Sequence, residues 1–134
     1  GDSVNLGSRL EALTRVYGVD IIVSESTRLQ ASEFLYRELD VVRVKGKNKA
    51  VAIFEPVCPI NQASADLIED VQQHEQALKA YRVQNWPEAH AAFTALQEKT
   101  RDAGLYALYL ERITYLAQNP PGADWDGAFT FKTK

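Results

Sequence analysis

Gly1-Asp2-Ser3-Val4-Asn5-Leu6-Gly7-Ser8-Arg9-Leu10-Glu11 opens the chain and reads as a turn feeding a helix that carries chemistry. Asn5 and Arg9 lie four apart, so a helix projects them from one face as a neutral amide and a fixed cation. That pairing suits a phosphate ester. The amide can hold a ribose or leaving-group oxygen, and the guanidinium can neutralise charge that grows on a phosphoryl group as a reaction proceeds. Spacing alone also describes an ordinary solvated face, where an Asn and an Arg are commonplace.

Working outward, the helix is expected from about Ser3 to Tyr17. Leu6, Leu10, Leu13 and Tyr17 form a stripe of helical period, Glu11 and Arg15 an exposed pair, and Gly18 a terminator free to adopt positive φ. Asn5 and Arg9 flank the stripe, so the core fixes where they point. Asp20 to Glu25, centred on Ile21-Ile22-Val23, reads as a short central strand, because it lacks the polar alternation of an edge. Ser24 or Ser26 can cap a helix over roughly Ser26 to Ala31. Phe34 to Lys45 reads as a strand whose alternation lapses near Leu39-Asp40-Val41, the mark of a bulge or turn. Lys45-Gly46-Lys47-Asn48-Lys49 then makes a basic turn, and Ala50 to Val57 a second strand closed by Pro56 and Pro59, which completes a β-hairpin.

Gly1-Asp2-Ser3-Val4-Asn5 with Ser8-Arg9-Leu10-Glu11, then Tyr17-Gly18-Val19, Ile22-Val23-Ser24-Glu25 and Val44-Lys45-Gly46-Lys47, together resemble the C-terminal half of a class III adenylate/guanylate cyclase catalytic domain. The likeness runs from Gly1 to about Pro56. It implies that Asn5 and Arg9 stabilise the cyclisation transition state and that Lys45 binds the terminal phosphates of ATP or GTP. Lys47 and Lys49 keep the plainer role of a solubilised turn. In that family two metal-binding aspartates and the purine-selecting residues lie upstream of the opening motif, so Asp2 is not one of them. The resemblance therefore implies Mg²⁺ or Mn²⁺ in a full-length parent, with no metal ligand in this segment. It also implies a homodimer through the cyclase domain, the Asn and Arg of one chain completing a site whose metal ligands come from the other.

Pro59-Ile60-Asn61-Gln62-Ala63-Ser64 reads as a linker, beyond which the sequence changes character. Residues 1–58 carry eight basic and eight acidic side chains, whereas residues 59–134 carry seven against ten and hence the whole net charge of -3. Ser64 can cap a helix over about Ala65 to Gln84, with Leu67, Val71, Leu78 and Tyr81 inward. Trp86-Pro87-Glu88 opens another helix, Pro87 fitting a first turn, with Ala89, Phe93 and Leu96 on one face. A third is expected from about Gly104 to Gln118. Tyr81, Trp86, Ala89, Phe93 and Leu96 resemble a tetratricopeptide repeat, with a Tyr-to-Trp gap one residue shorter than the repeat pattern. About one and a half such units make no solenoid, which leaves a helical hairpin packed on its neighbour or a peptide-binding groove. His74 and His90 are expected as exposed helix residues, since no Cys or carboxylate stands at ligand spacing. In the tail, Asp124 to Lys132 combines a turn with an alternating strand whose Phe129 and Phe131 should dock on the rest of the chain or on a neighbouring molecule.

Composition sets the outer bounds. The 134 residues suffice for a modest core. A net charge of -3 argues against a general binder of nucleic acid or anionic membrane. The single Cys58 cannot form an internal disulfide, which fits a reducing, cytoplasmic setting. No apolar run approaches the ~20 residues of a membrane span, so any membrane anchor belongs to another part of a parent. The sequence contains no Met and starts in mid-motif, so Gly1 is not expected to be a biological N-terminus. The expected fold is mixed α/β (α+β). A partial, ferredoxin-like cyclase domain occupies 1–58, and a helical, repeat-like extension with a short terminal strand occupies 59–134. The expected function is a share in an adenylate cyclase that is inactive alone; the alternative is an interaction module derived from a degenerate cyclase.

Overall fold

The computed structural model describes residues 2–43, 49–100 and 103–131; side chains of the first helix are described from Leu10 onward, and that of Ala103 is not. The chain has mixed α/β content and divides into two compact units, one of Gly1–Ala63 with Ala128–Lys134, the other of Ser64–Gly127.

In the first unit, helix α1 spans Asp2–Tyr17. Leu10, Leu13 and Tyr17 are buried, the described part of the stripe, while Glu11 and Arg15 are exposed. Gly18 ends the helix at φ 69°, and the amide of Val19 reaches back to the Thr14 carbonyl at 3.1 Å. Strand β1 is only Val23–Ser24, and Ser24 caps α2 (Glu25–Gln30) by accepting from the Thr27 amide at 3.3 Å. Strands β2 (Phe34–Arg43) and β3 (Val51–Pro59) form the antiparallel hairpin, and the expected basic turn between them, 44–48, lies outside the described residues. Strand β4 (Phe129–Thr130) pairs parallel with β2, giving a mixed sheet of order β1-β3-β2-β4.

Two expectations are corrected here. Ile21 is exposed and β1 stands at a sheet edge, because only Val23 and Ser24 pair, and only with β3. An apolar run without alternation therefore did not mark a central strand. Pro56 does not close β3 but sits inside it opposite Tyr36, at a register shift where a missing N–H is tolerated. A second shift falls between Glu38 and Asp40, which stand opposite the adjacent Phe54 and Ile53 and make Leu39 the extra residue of the strand. This is the expected bulge. Its consequence is visible in burial: Arg37 and Leu39 are inside, then Asp40 and Val42, so the buried parity switches at Leu39.

The second unit contains α3 (Ala65–Arg82), α4 (Trp86–Lys99) and α5 (Ala103–Gln118), packed α3 on α4 and α4 on α5. Ser64 caps α3 by accepting from the Leu67 amide at 3.1 Å. Asn85 caps α4 and also donates to Glu88 Oε2 at 2.7 Å, while Pro87 sits in the first turn. Aromatic rings fill the interior: Phe93 stacks on Tyr109 with centroids 4.7 Å apart, and Tyr81 meets Tyr109 edge-on at 5.1 Å. Trp86 and Trp125 both contact Tyr81, at 5.8 and 5.4 Å. On the surface, a hydrogen bond to Asp70 raises the Lys99 pKa above its ordinary value, the two groups lying 2.7 Å apart.

Candidate functional site

The helical backbone of α1 sets Asn5 and Arg9 four residues apart, one turn from each other; their side chains lie outside the described residues. Lys45 also lies outside them, in the connection from β2 to β3. The structure therefore describes the helix that carries Asn5 and Arg9 and the strand that precedes Lys45 in the chain, and this helix and strand are tied together. Tyr17, the last residue of α1, is fully buried and its hydroxyl donates to Oδ2 of Asp40, itself fully buried. Oδ1 of Asp40 accepts from the Val41 amide at 2.8 Å, which fixes the carboxyl plane.

Further along β2, Arg43 is held by β4. Its carbonyl accepts from the Phe131 amide at 2.8 Å, and its Nη1 donates to Thr130 Oγ1 at 3.3 Å. Across the hairpin, Arg37 faces Glu55 and its Nε donates to Oε1 at 3.0 Å, a half-buried pair that locks the register.

A cleft of ≈ 480 Å³ opens beside α1, lined by Leu10, Thr14, Ile21, Ile22 and Val23 with the carboxylates of Glu11 and Asp20. Its described lining includes two acids and no Lys or Arg, which does not suit a polyphosphate. Among the described residues no group of three or more His, Cys, Asp or Glu could hold a metal ion. His90 is exposed as expected, but His74 is not: it is fully buried, 3.1 Å from the Tyr106 hydroxyl through Nδ1 and edge-on to Phe93. An aromatic interior with a hydroxyl partner satisfies a core histidine without any ligand role. No helix among the described residues is long and apolar enough to cross a membrane.

Sequence reasoning treated Tyr17 as core and Asp40 as a lapse in a strand, and missed that they meet. The signal was the lapse itself, since an acid left out of phase by a bulge must find a buried donor.

Comparison with known proteins adds a partial relation. A stretch of 59 residues is 44% identical to an adenylate cyclase of Anabaena cylindrica, covering 41% of this chain and 12% of that protein. The terminal-differentiation specific adenylate cyclase of Dictyostelium discoideum is 41% identical over 61 residues, 42% of this chain and 3% of its own. Adenylate cyclase 1 of Rhizobium meliloti (strain 1021) is 34% identical over 58 residues, 42% of this chain and 9% of its own. The chain thus spans between 3% and 12% of the length of these relatives. No family model and no solved structure matches it. Part of this chain is related to adenylate cyclases.

Proposed function

We propose that the chain is the C-terminal half of a class III adenylate cyclase catalytic domain with a helical, tetratricopeptide-like extension, part of a longer cytoplasmic protein that converts ATP to 3′,5′-cyclic AMP and pyrophosphate. The observation that carries this reading is the 34–44% identity, over about sixty residues, to three proteins named adenylate cyclase. The Asn-to-Arg spacing on a helix supports it.

On this reading Asn5 holds the ribose side of the nucleotide, and Arg9 meets the charge that develops on the α-phosphate as the ring closes. Lys45 binds the terminal phosphates already in the ground state. The divalent ions implied by the resemblance find no ligand cluster among the described residues, and no step here runs through them; their ligands are assigned to another part of the protein, in a head-to-tail homodimer. The second reading, an interaction module from a degenerate cyclase, predicts no metal-binding aspartates in the parent.

The test is steady-state kinetics on the full-length protein. Arg9→Ala should lower kcat by about 10²–10³, the typical loss of one transition-state donor, with little change in KM. Lys should rescue poorly, lacking the planar fork. Lys45→Ala should instead raise KM. A kcat near wild type for Arg9→Ala would mean that α1 carries no catalytic group, and preference for GTP in the same assay would change the product.

A further inference from the structure

Tyr17 and Asp40 join α1, to which the proposed function assigns Asn5 and Arg9, to β2, the strand that precedes Lys45 in the chain. Asp40 lies inward only because the bulge at Leu39 shifts the strand's phase; unbroken alternation from Arg37 and Leu39 would bury Val41 and turn Asp40 out. One carboxyl oxygen is engaged by the Val41 amide at 2.8 Å and the other by the Tyr17 hydroxyl, with both side chains fully buried.

Stability alone does not call for such a pair. Two apolar side chains of the same shape are nearly as stable in a core, and a half-satisfied polar pair is worse. What a hydrogen bond adds to the apolar stripe of Leu10 and Leu13 is direction. Apolar contacts tolerate small slides and rotations of a helix, whereas a buried hydrogen bond fixes both.

We propose that Tyr17 and Asp40 are positioning residues for the cyclase site, their hydrogen bond setting the register of α1 against β2. This inference rests on the functional reading above. Arg9 stands eight residues from Tyr17, about 12 Å along the same helix at 1.5 Å per residue, so a slide at Tyr17 is delivered to Arg9 undiminished. On the other side, Asp40 lies in the strand that runs through Arg43 towards Lys45. One hydrogen bond therefore links the helix presenting Asn5 and Arg9 to the strand leading to the phosphate ligand. A misplacement of about 1 Å can cost on the order of 10² in rate.

The experiment compares Tyr17→Phe, Asp40→Asn, Asp40→Leu and Arg9→Ala in the full-length protein, measuring kcat, KM for ATP and the melting temperature. Tyr17→Phe removes one oxygen from a ring that remains packed, so the fold persists. It should lower kcat roughly tenfold with KM nearly unchanged. Asp40→Asn keeps a side chain able to bond the tyrosine hydroxyl and should retain most of kcat. Asp40→Leu should lose as much as Tyr17→Phe, and Tyr17→Phe combined with Asp40→Leu no more than either single change. In the 134-residue chain itself, Tyr17→Phe should weaken hydrogen-exchange protection along α1. Wild-type kcat in Tyr17→Phe, or a loss matched by the unfolded fraction, overturns the positioning role. If Arg9→Ala impairs kcat and Tyr17→Phe does not, that role alone fails. An Arg9→Ala variant with normal kcat overturns the functional reading, and the positioning role with it.

Discussion

Gly127 shows how a single residue can be constrained from two sides. It has φ 83°, and a Cβ there would lie 2.8 Å from Cγ and 3.3 Å from Cβ of Arg82, atoms too near the α3 backbone to swing away. Gly127→Ala should therefore destabilise the helical unit by about 1–3 kcal/mol, combining left-handed strain with the clash; an unchanged urea midpoint would contradict the argument. Such a requirement cannot be read from one sequence, because glycine in a tail of turn residues has many innocent explanations. The same is true of Tyr17 and Asp40, whose hydrogen bond spans 23 positions and depends on a bulge. Residues whose meaning is local were legible: Ser24 and Ser64 as helix caps, and Gly18 as a helix terminator.

At the scale of elements, the terminal segment is the one whose removal should be felt most. Trp125 contacts Tyr81 and Trp86 within the helical unit, and Gln84 Nε2 donates to the Gly122 carbonyl at 2.5 Å. Four residues after Trp125, β4 begins pairing with Val42 and Arg43 along the edge of β2. Truncation before Asp124 should lower the melting temperature. Trp125, Phe129 and Phe131 are half-buried, so each contributes less than the roughly 1.5–3 kcal/mol of a fully buried aromatic, and about 1 kcal/mol shifts a domain of roughly 60–100 residues by ~4–8 °C. An unchanged melting curve would show that the segment contributes no packing. Helices and the hairpin were legible because their periods of 3.6 and 2 are written in consecutive residues. The partner of β4, and the edge position of β1, are long-range facts. Alternation in Phe129 to Lys132 foretells a strand without naming its neighbour. The apolar run Ile21-Ile22-Val23 suggested a strand buried on both faces, yet Ile21 is exposed.

For the whole molecule, the decisive question is how much of a catalytic centre one chain of 134 residues can hold. It spans at most 12% of the relatives it resembles, and its described residues contain no cluster able to bind a divalent ion. Phosphoryl cyclisation of the proposed kind needs such ions to stabilise the attacking and leaving oxygens, whereas Arg9 and Lys45, in the roles proposed for them, would supply only fixed positive charge. The purified chain should therefore show no turnover of ATP with either Mg²⁺ or Mn²⁺, although on the proposed reading it contributes groups to the reaction. Silence alone would be a weak result, so the assay pairs the chain with a full-length protein disabled by Arg9→Ala. If the site is shared between two chains, the wild-type 134-residue chain should restore part of the activity by supplying Asn5 and Arg9 in trans, and the same chain carrying Arg9→Ala should not. Turnover by the chain alone would refute the division of ligands. Equal restoration by both chains would show that α1 stabilises the partner without taking part in the chemistry.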